Sequence, residues 1–372
     1  MDPQHQFCHN LACSARGQIG QGHIRIFSYK DRRYQCKVCK KTFTETKGTV
    51  FYRLQTAANM VTIVLTLLCH GCPVQAIVAA FGVDERTVAA WQARAGQHGQ
   101  TVHGHLVQQG QVDLQHVQAD ELWVKMVGRR VWMAMAMAVP SRLWLGGVIS
   151  AQRNLTLITN LVQMVRSCAR SLGILVCVDG LASYVTAFLT VFRTRLLTGK
   201  RGRPRLLLAE GLLLGQVIKR RVQYHLVSVE RRIVRGTPAA IATVLSATHS
   251  GAQINTAYIE RLNATFRSCL AALVRRGRAI AHTEAMLTAG MYLVGCAYNF
   301  CRCHESLRLA APEGVHPKWL ERTPAMVAGL TDHCWTMYEL LSYKVPLPAW
   351  VASKRRGRPP KRPQQPLLAV AA

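Results

Sequence analysis

The rhythm of hydrophobic and polar positions changes several times along the chain, and each change predicts a different kind of element. Residues 23–27 and 32–35 have strand character. Residues 57–68 form a helical apolar stretch. From Val74 to Trp91 the pattern predicts two helices joined by a tight turn. The first ends at Gly82, whose missing Cβ suits the turn, and Asp84 N-caps the second. That second helix packs Val88 and Trp91 inward and presents Arg86, Thr87 and Gln92 outward. Residues 96–110, rich in Gly, Gln and His, read as a linker.

Beyond residue 112 strands and helices alternate. Residues 112–124 read as a strand ending on acidic residues, and 130–137 and 143–150 as the second and third strands. Residues 155–171 read as a helix. Residues 174–180 form a short buried strand that ends in a lone Asp at a turn. A fifth strand is expected at 216–224, and a helix begins at Gln253 with Glu260 in its second turn. The longest apolar stretch, 131–149, contains Pro140 and Arg142. It is expected to be a pair of buried strands rather than a membrane span.

Charge adds a partner to this picture. Across 372 residues, 47 Lys and Arg face 18 Asp and Glu, a formal net charge of +29. Such an imbalance favours a polyanion, with DNA or RNA first and an anionic membrane surface second. Apolar residues make up 49% of the chain, enough for a sizeable core, and the length suggests two or three domains. The polar N-terminus lacks the apolar segment of a secretory signal, so a cytoplasmic, nucleoid-associated protein is expected. In a reducing compartment the 13 cysteines point to metal ligands or core packing rather than disulfides.

Two cysteine pairs stand out. Cys8-x4-Cys13 and Cys36-x2-Cys39 flank a basic stretch of about twenty residues. Zinc takes four thiolates in a tetrahedron, and two short knuckles supply them. With Phe7, Tyr34 and Phe43 beside the pairs, the segment reads as a zinc ribbon holding one structural Zn²⁺. Cys69-x2-Cys72 and Cys301-x-Cys303-His304 are weaker patterns, for which packing is the default. The helix pair at 74–91 has the spacing of a helix-turn-helix, whose second helix enters a DNA major groove.

Acids are scarce, so their stations carry weight. Asp120 and Asp179 lie at the ends of apolar strands, where an unpaired carboxylate is costly unless it binds something positive. Two Mg²⁺ ions about 4 Å apart, with Mn²⁺ as a substitute, supply that charge in phosphodiester transfer. The order of strands, acids and helix is that of an RNase H-like fold: an α/β core of retroviral integrase-like type, a mixed sheet flanked by helices.

The sequence resembles insertion-sequence transposases of the DDE type, in the branch with an N-terminal zinc ribbon and helix-turn-helix (insertion sequence one and its relatives). The matching pieces are Cys36-Lys37-Val38-Cys39 with Lys41-Thr42-Phe43, Asp120-Glu121-Leu122-Trp123, and Val178-Asp179-Gly180. Further along come Asn255-Thr256-x-Tyr258-Ile259-Glu260-Arg261-x-Asn263 and Tyr298-Asn299-Phe300-Cys301-Arg302-Cys303-His304. Thr323-Pro324-Ala325 and Ala328-Gly329-Leu330 close the resemblance, which covers residues 7–333. It implies a catalytic triad of Asp120, Asp179 and Glu260 that ligates two metal ions. It also implies that Arg261, Arg302 and His304 lie near the active-site helices and hold phosphate, with a structural role for His304 as the alternative. Strand alternation sends the Glu121 side chain to the opposite sheet face, so Glu121 is not counted as a ligand.

Residues 200–205 and 355–362 share the core Arg-Gly-Arg-Pro and resemble AT-hooks. In that motif Arg201 and Arg203, and likewise Arg356 and Arg358, lie along a narrow A·T minor groove. The expected organisation is a ribbon (1–50), a helix-turn-helix domain (51–98), a linker (99–111), a catalytic core (112–333) with a basic insertion near 193–215, an extension (334–350) and a disordered basic tail (351–372). The expected function is a DNA transposase acting on double-stranded DNA as a homodimer or higher oligomer. A catalytically silent, transposase-derived regulator is the alternative.

Overall fold

A computed structural model describes residues 1–196, 204–223, 225–274, 280–312 and 316–352. The chain divides into two compact units, Met1–Glu45 with Pro346–Ala372, and Thr46–Val345.

The first unit is built on three short strands, β1 (Ile24–Ser28), β2 (Arg33–Cys36) and β3 (Thr42–Thr44), in one antiparallel sheet. Alternation explains them: Ile24, Tyr34, Cys36 and Phe43 turn into a small core with Phe7, Cys8 and Cys13. A short C-terminal segment belongs to this unit. Arg16 donates to the Pro348 and Ala349 carbonyls at 2.8 and 3.1 Å. Gly17, at φ +68°, has the Leu347 carbonyl oxygen where a Cβ would sit. The extension expected at 334–350 is therefore divided: its first part packs with the second unit and its end with the ribbon strands.

The second unit opens with three helices, α1 (Ala58–Cys69), α2 (Val74–Phe81) and α3 (Glu85–Leu106). Gly82 closes α2 in the left-handed conformation at φ 64°, and the Asp84 carboxylate accepts the Arg86 N–H at 2.8 Å. The linker expected at 99–111 is corrected, because α3 continues through Leu106. Two of its glycines, Gly96 and Gly99, serve close approach. A Cβ on Gly96 would collide with the Ala289 backbone, and one on Gly99 would lie 3.2 Å from the Tyr292 carbonyl oxygen.

A six-stranded mixed sheet follows. Its strands and covering helices run, in chain order, β4 (His116–Met126), β5 (Arg129–Ala138), β6 (Trp144–Ser150), α4 (Leu155–Cys168), β7 (Leu175–Asp179), α5 (Ala182–Val191), the small hairpin β8 (Arg193–Leu196) with β9 (Arg205–Leu208), β10 (Leu213–Val222) and β11 (His225–Arg235). Then come α6 (Pro238–Ala247), α7 (Ala257–Cys269) and α8 (Glu284–Cys296). The sheet order is β11-β10-β7-β4-β5-β6. The β4-β5-β6 meander is antiparallel, β7 runs parallel to β4, and β10 runs parallel to β7. Strand β11, which the sequence pattern does not predict, returns antiparallel to β10 at the edge.

Strand β5 shows how the sequence covers both faces. Ala134, Ala136 and Ala138 turn to one core with α4 and α5, and Met133, Met135 and Met137 turn to a second core with α7 and α8. The apolar stretch 131–149 is thus two buried strands, and no helix among the described residues is long and apolar enough to cross a membrane. The helix bearing Glu260 begins at Ala257 rather than Gln253, so Glu260 sits in its first turn.

Candidate metal centres and nucleic-acid surface

In the first unit the knuckle after β2 turns back on itself, with the Lys40 N–H donating to the Cys36 carbonyl at 2.9 Å. This brings four sulfurs together: those of Cys8, Cys13, Cys36 and Cys39 all lie within 4.8 Å of one another. Cys8 and Cys39 approach to 3.6 Å and Cys13 and Cys36 to 3.9 Å. Burial pushes the Cys8 and Cys13 thiols up. Burial acts the same way on Cys39, but the Lys41 backbone N–H and bonds from Asn10, Cys8 and Cys13 outweigh it and hold that thiol at about 7. Four soft, converging thiolate donors fit Zn²⁺.

With so small a core, this unit is expected to depend on its metal. Elemental analysis of the full chain should find about one zinc per molecule, and Cys36→Ser should lose it. Chelation should then open residues 1–45 to protease. A zinc-free chain that keeps this segment protected would contradict the assignment.

The weaker cysteine patterns gather no such cluster among the described residues. Cys69 is buried against the Leu293 carbonyl, and Cys301 points at the Thr336 carbonyl.

The acidic site lies where β4 and β7 stop pairing; Asp179 ends β7, whereas Asp120, expected at a strand end, sits in the middle of β4, which runs on to Met126 beside β5. The β4–β7 ladder stops at Ala119 and Val178, and Asp120 and Asp179 project just past that point. Gly180 allows the next turn to close, since a Cβ there would lie 3.2 Å from Ile218 Cγ1. Gln118, two residues before Asp120 on the same strand face, is fully buried. Its Oε1 accepts the Tyr258 and Ile259 N–H groups at 3.0 and 3.1 Å, and its Nε2 donates to the Asn255 carbonyl at 2.9 Å. These bonds satisfy open donors in the first turn of α7 and fix that helix to the strand carrying Asp120. Asp120, Asp179 and Glu260 consequently line one cavity of about 730 Å³, with Arg153, Lys219 and Arg267 on its walls.

Each acid has partners. Asp120 Oδ2 accepts from Asn263 Nδ2 at 2.8 Å, one helical turn beyond Glu260. Asp179 Oδ1 accepts the Leu181 N–H at 3.0 Å, and its Oδ2 is 3.4 Å from Arg153. Glu260 accepts the Thr256 hydroxyl at 2.7 Å and is ion-paired with Lys219. Burial, then the charges of Glu121 and Asp179, push the Asp120 carboxyl up to about 7. Asp179 is raised by burial and Glu121, against the Leu181 N–H, Arg153 and Lys219. Partly buried oxygens that repel one another suit a hard divalent cation such as Mg²⁺ or Mn²⁺.

Glu121 departs from expectation. Its side chain does leave Asp120's face, and the Tyr184 hydroxyl and Arg153 Nε donate to it at 2.7 and 2.6 Å. Even so, oxygens of Asp120, Glu121 and Asp179 lie within 4.8 Å of one another. Glu260 stands outside that compact group, across the same cavity. The sequence carries no signal for Arg153 or Lys219, which lie on a turn and on the fifth strand. Asn263 and Arg267 are findable, since Thr256, Glu260, Asn263 and Arg267 recur at helical spacing.

The residues expected to touch nucleic acid are scattered. Arg86 is exposed and Thr87 partly exposed at the start of α3. Gln92, expected to face outward, is only 8% exposed, and its Nε2 would lie 3.3 Å from a Cβ on Gly290 of α8. The continued α3–α8 packing turns that position inward. Arg261 and His304 line a second cavity. Arg302 instead turns inward, donating to the Cys69 carbonyl and, at 2.8 Å, to Cys269 Sγ, which leaves it tying α1 to α7 rather than facing a phosphate. Arg201, Arg203, Arg356 and Arg358 lie outside the described residues. Compared with protein-family models and with curated proteins, the chain matches none.

Proposed function

We propose that the protein is a DNA transposase whose core cuts and joins phosphodiester bonds with divalent metal ions held by Asp120, Asp179 and Glu260. One observation carries the reading: two aspartates on adjacent parallel strands, just past the point where those strands stop pairing, share a cavity with a glutamate from a distant helix. Support also comes from the sheet order, an antiparallel three-strand meander followed by two parallel strands, the order expected of an RNase H-like core. Bound at these oxygens, Mg²⁺ would supply the charge that activates an attacking oxygen and steadies a leaving one. The chain's own cations complete the site. Arg153 and Lys219 orient Asp179 and Glu260, and with Arg267 they give the cavity walls a positive lining for phosphate oxygens. In this reading the four-cysteine unit and the α2–α3 pair, through Arg86 and Thr87, recognise the ends of the mobile DNA, and the two Arg-Gly-Arg-Pro segments add A·T minor-groove contacts. A dimer or larger assembly would bring two ends together.

A second reading, a DNA-binding regulator without chemistry, draws on the Lys219–Glu260 ion pair, which already neutralises one acid. The two separate in one assay. Duplexes carrying the sequences that flank the gene are incubated with the protein, with and without added Mg²⁺. Metal-dependent nicks with 3′-hydroxyl ends, followed by joined strands, support the transposase. Tight binding that leaves the strands intact in both conditions supports the regulator.

A further inference from the structure

Helix α7 presents charged groups to two different cavities. Thr256, at its N-cap, and Glu260, Asn263 and Arg267 face the acidic cavity. Tyr258, Arg261 and Thr265 face a second cavity of about 500 Å³. At about 100° per residue, these two sets point to opposite sides of the helix. Ile259, Leu262 and Phe266 fill a third, buried face, and the exposed crest between the cavities carries only Ala257, Ala264 and Ser268 beside Arg261.

The second cavity is strongly basic. Arg142, Arg261 and Arg308 line it, and among the described residues none of the three has an ion-pair partner. One carboxylate, Glu305, shares the lining. Two of the guanidinium groups are held in place by aromatic rings, Arg142 at 3.9 Å over Tyr258 and Arg308 at 4.2 Å over Trp319. His304 completes the wall; burial, then the charges of Arg142, Arg261 and Arg302, holds its imidazole below the ordinary value. Held, uncompensated guanidinium groups around an open cavity suit a phosphate, whose oxygens match the planar fork.

We propose that this cavity receives a backbone phosphate of the same DNA strand whose reacting phosphodiester meets the acidic cavity, the strand crossing α7 over its small-residue crest. The identity of that strand rests on the DNA-cutting reading above. A helix with its side chains is about 10 Å across, so the second phosphate lies within a few nucleotides of the reacting one.

The test measures binding of a short DNA duplex to the full chain across a range of salt, without added Mg²⁺. Wild type is compared with Arg261→Gln combined with Arg308→Gln, and with Ala264→Glu. The double variant should flatten the slope of log affinity against log salt by about 1, since the two arginines together hold one phosphate. Ala264→Glu, at an exposed helical position, should weaken binding while leaving thermal unfolding unchanged. A wild-type slope in the double variant overturns the phosphate site, and wild-type affinity in Ala264→Glu overturns the path over the crest. The two readings fail separately. A flattened slope in a protein that cuts no DNA removes only the DNA-cutting reading, and an unchanged slope in a protein that cuts removes only the second phosphate site.

Discussion

Asp120→Asn, Asp179→Asn and Glu260→Gln are each expected to lower DNA cleavage and strand joining by at least ~10²-fold while leaving DNA affinity nearly intact. Metal ions stabilise transition-state charge by several kcal/mol, and each 1.36 kcal/mol is tenfold in rate. An isosteric amide removes a ligand charge without changing shape, and the +29 net charge keeps DNA binding favourable. Glu121→Gln provides the contrast. Tyr184 and Arg153 already hold that carboxylate, so it acts on the site through Arg153 and Asp179 and should cost less than any of the three. Rates of all four variants, with affinity measured in parallel, separate the two ligand sets. If Glu121→Gln is inactive and Glu260→Gln is not, the metal belongs to the compact Asp120–Glu121–Asp179 group.

The same substitution at Asp120 should make the metal-free protein more stable. Burial and neighbouring acids raise its carboxyl from 3.8 to about 7. A carboxyl with a raised folded-state value is harder to ionise folded than unfolded. Its cost therefore starts near the unfolded value, grows through the interval, and is complete above the folded one. Three pH units correspond to about 4 kcal/mol as an upper bound. At pH 8 without divalent metal, Asp120→Asn should gain on the order of 2–4 kcal/mol over wild type, and the gain should vanish near pH 4. Added Mg²⁺ should narrow the gap by stabilising wild type through binding to the folded state. Denaturant unfolding at both pH values checks this; an Asp120→Asn protein less stable than wild type at pH 8 would contradict it.

The sheet and the strand-end Asp179 are legible in the sequence because their signals are local and redundant, whereas Asp120, expected at a strand end, lies within β4. Alternation sorts the alanines and methionines of β5 to two faces, and Val178-Asp179-Gly180 joins an apolar strand to a turn packed close against Ile218. Gly82 and Asp84 likewise show the turn between α2 and α3 through their own backbone chemistry.

What escapes the sequence depends on partners far away in the chain. Gly96 and Gly99 suggest a flexible stretch because nothing nearby reveals the backbone of α8 packed against them. The same neighbour turns Gln92 inward. The motif around Arg302 suggests a phosphate ligand, but the Cys69 carbonyl that captures it is 233 residues away. Strand alternation does hold at Glu121, which pairs with Ala134 of β5, but it fixes only where the side chain leaves the strand, and the carboxylate still comes within 4.8 Å of those of Asp120 and Asp179. Arg153 and Lys219 belong to no motif, and only the folded cavity shows them beside the acids.

A single-turnover assay on a duplex bearing the sequences that flank the gene bears most directly on the proposed chemistry. Wild type and Glu260→Gln are compared in Mg²⁺, with DNA affinity measured alongside. Metal-borne chemistry at Asp120, Asp179 and Glu260 predicts cut 3′-hydroxyl ends and joined strands from wild type, and at least ~10²-fold fewer from a Glu260→Gln protein that still binds the duplex. Strand joining by Glu260→Gln at the wild-type rate would contradict it.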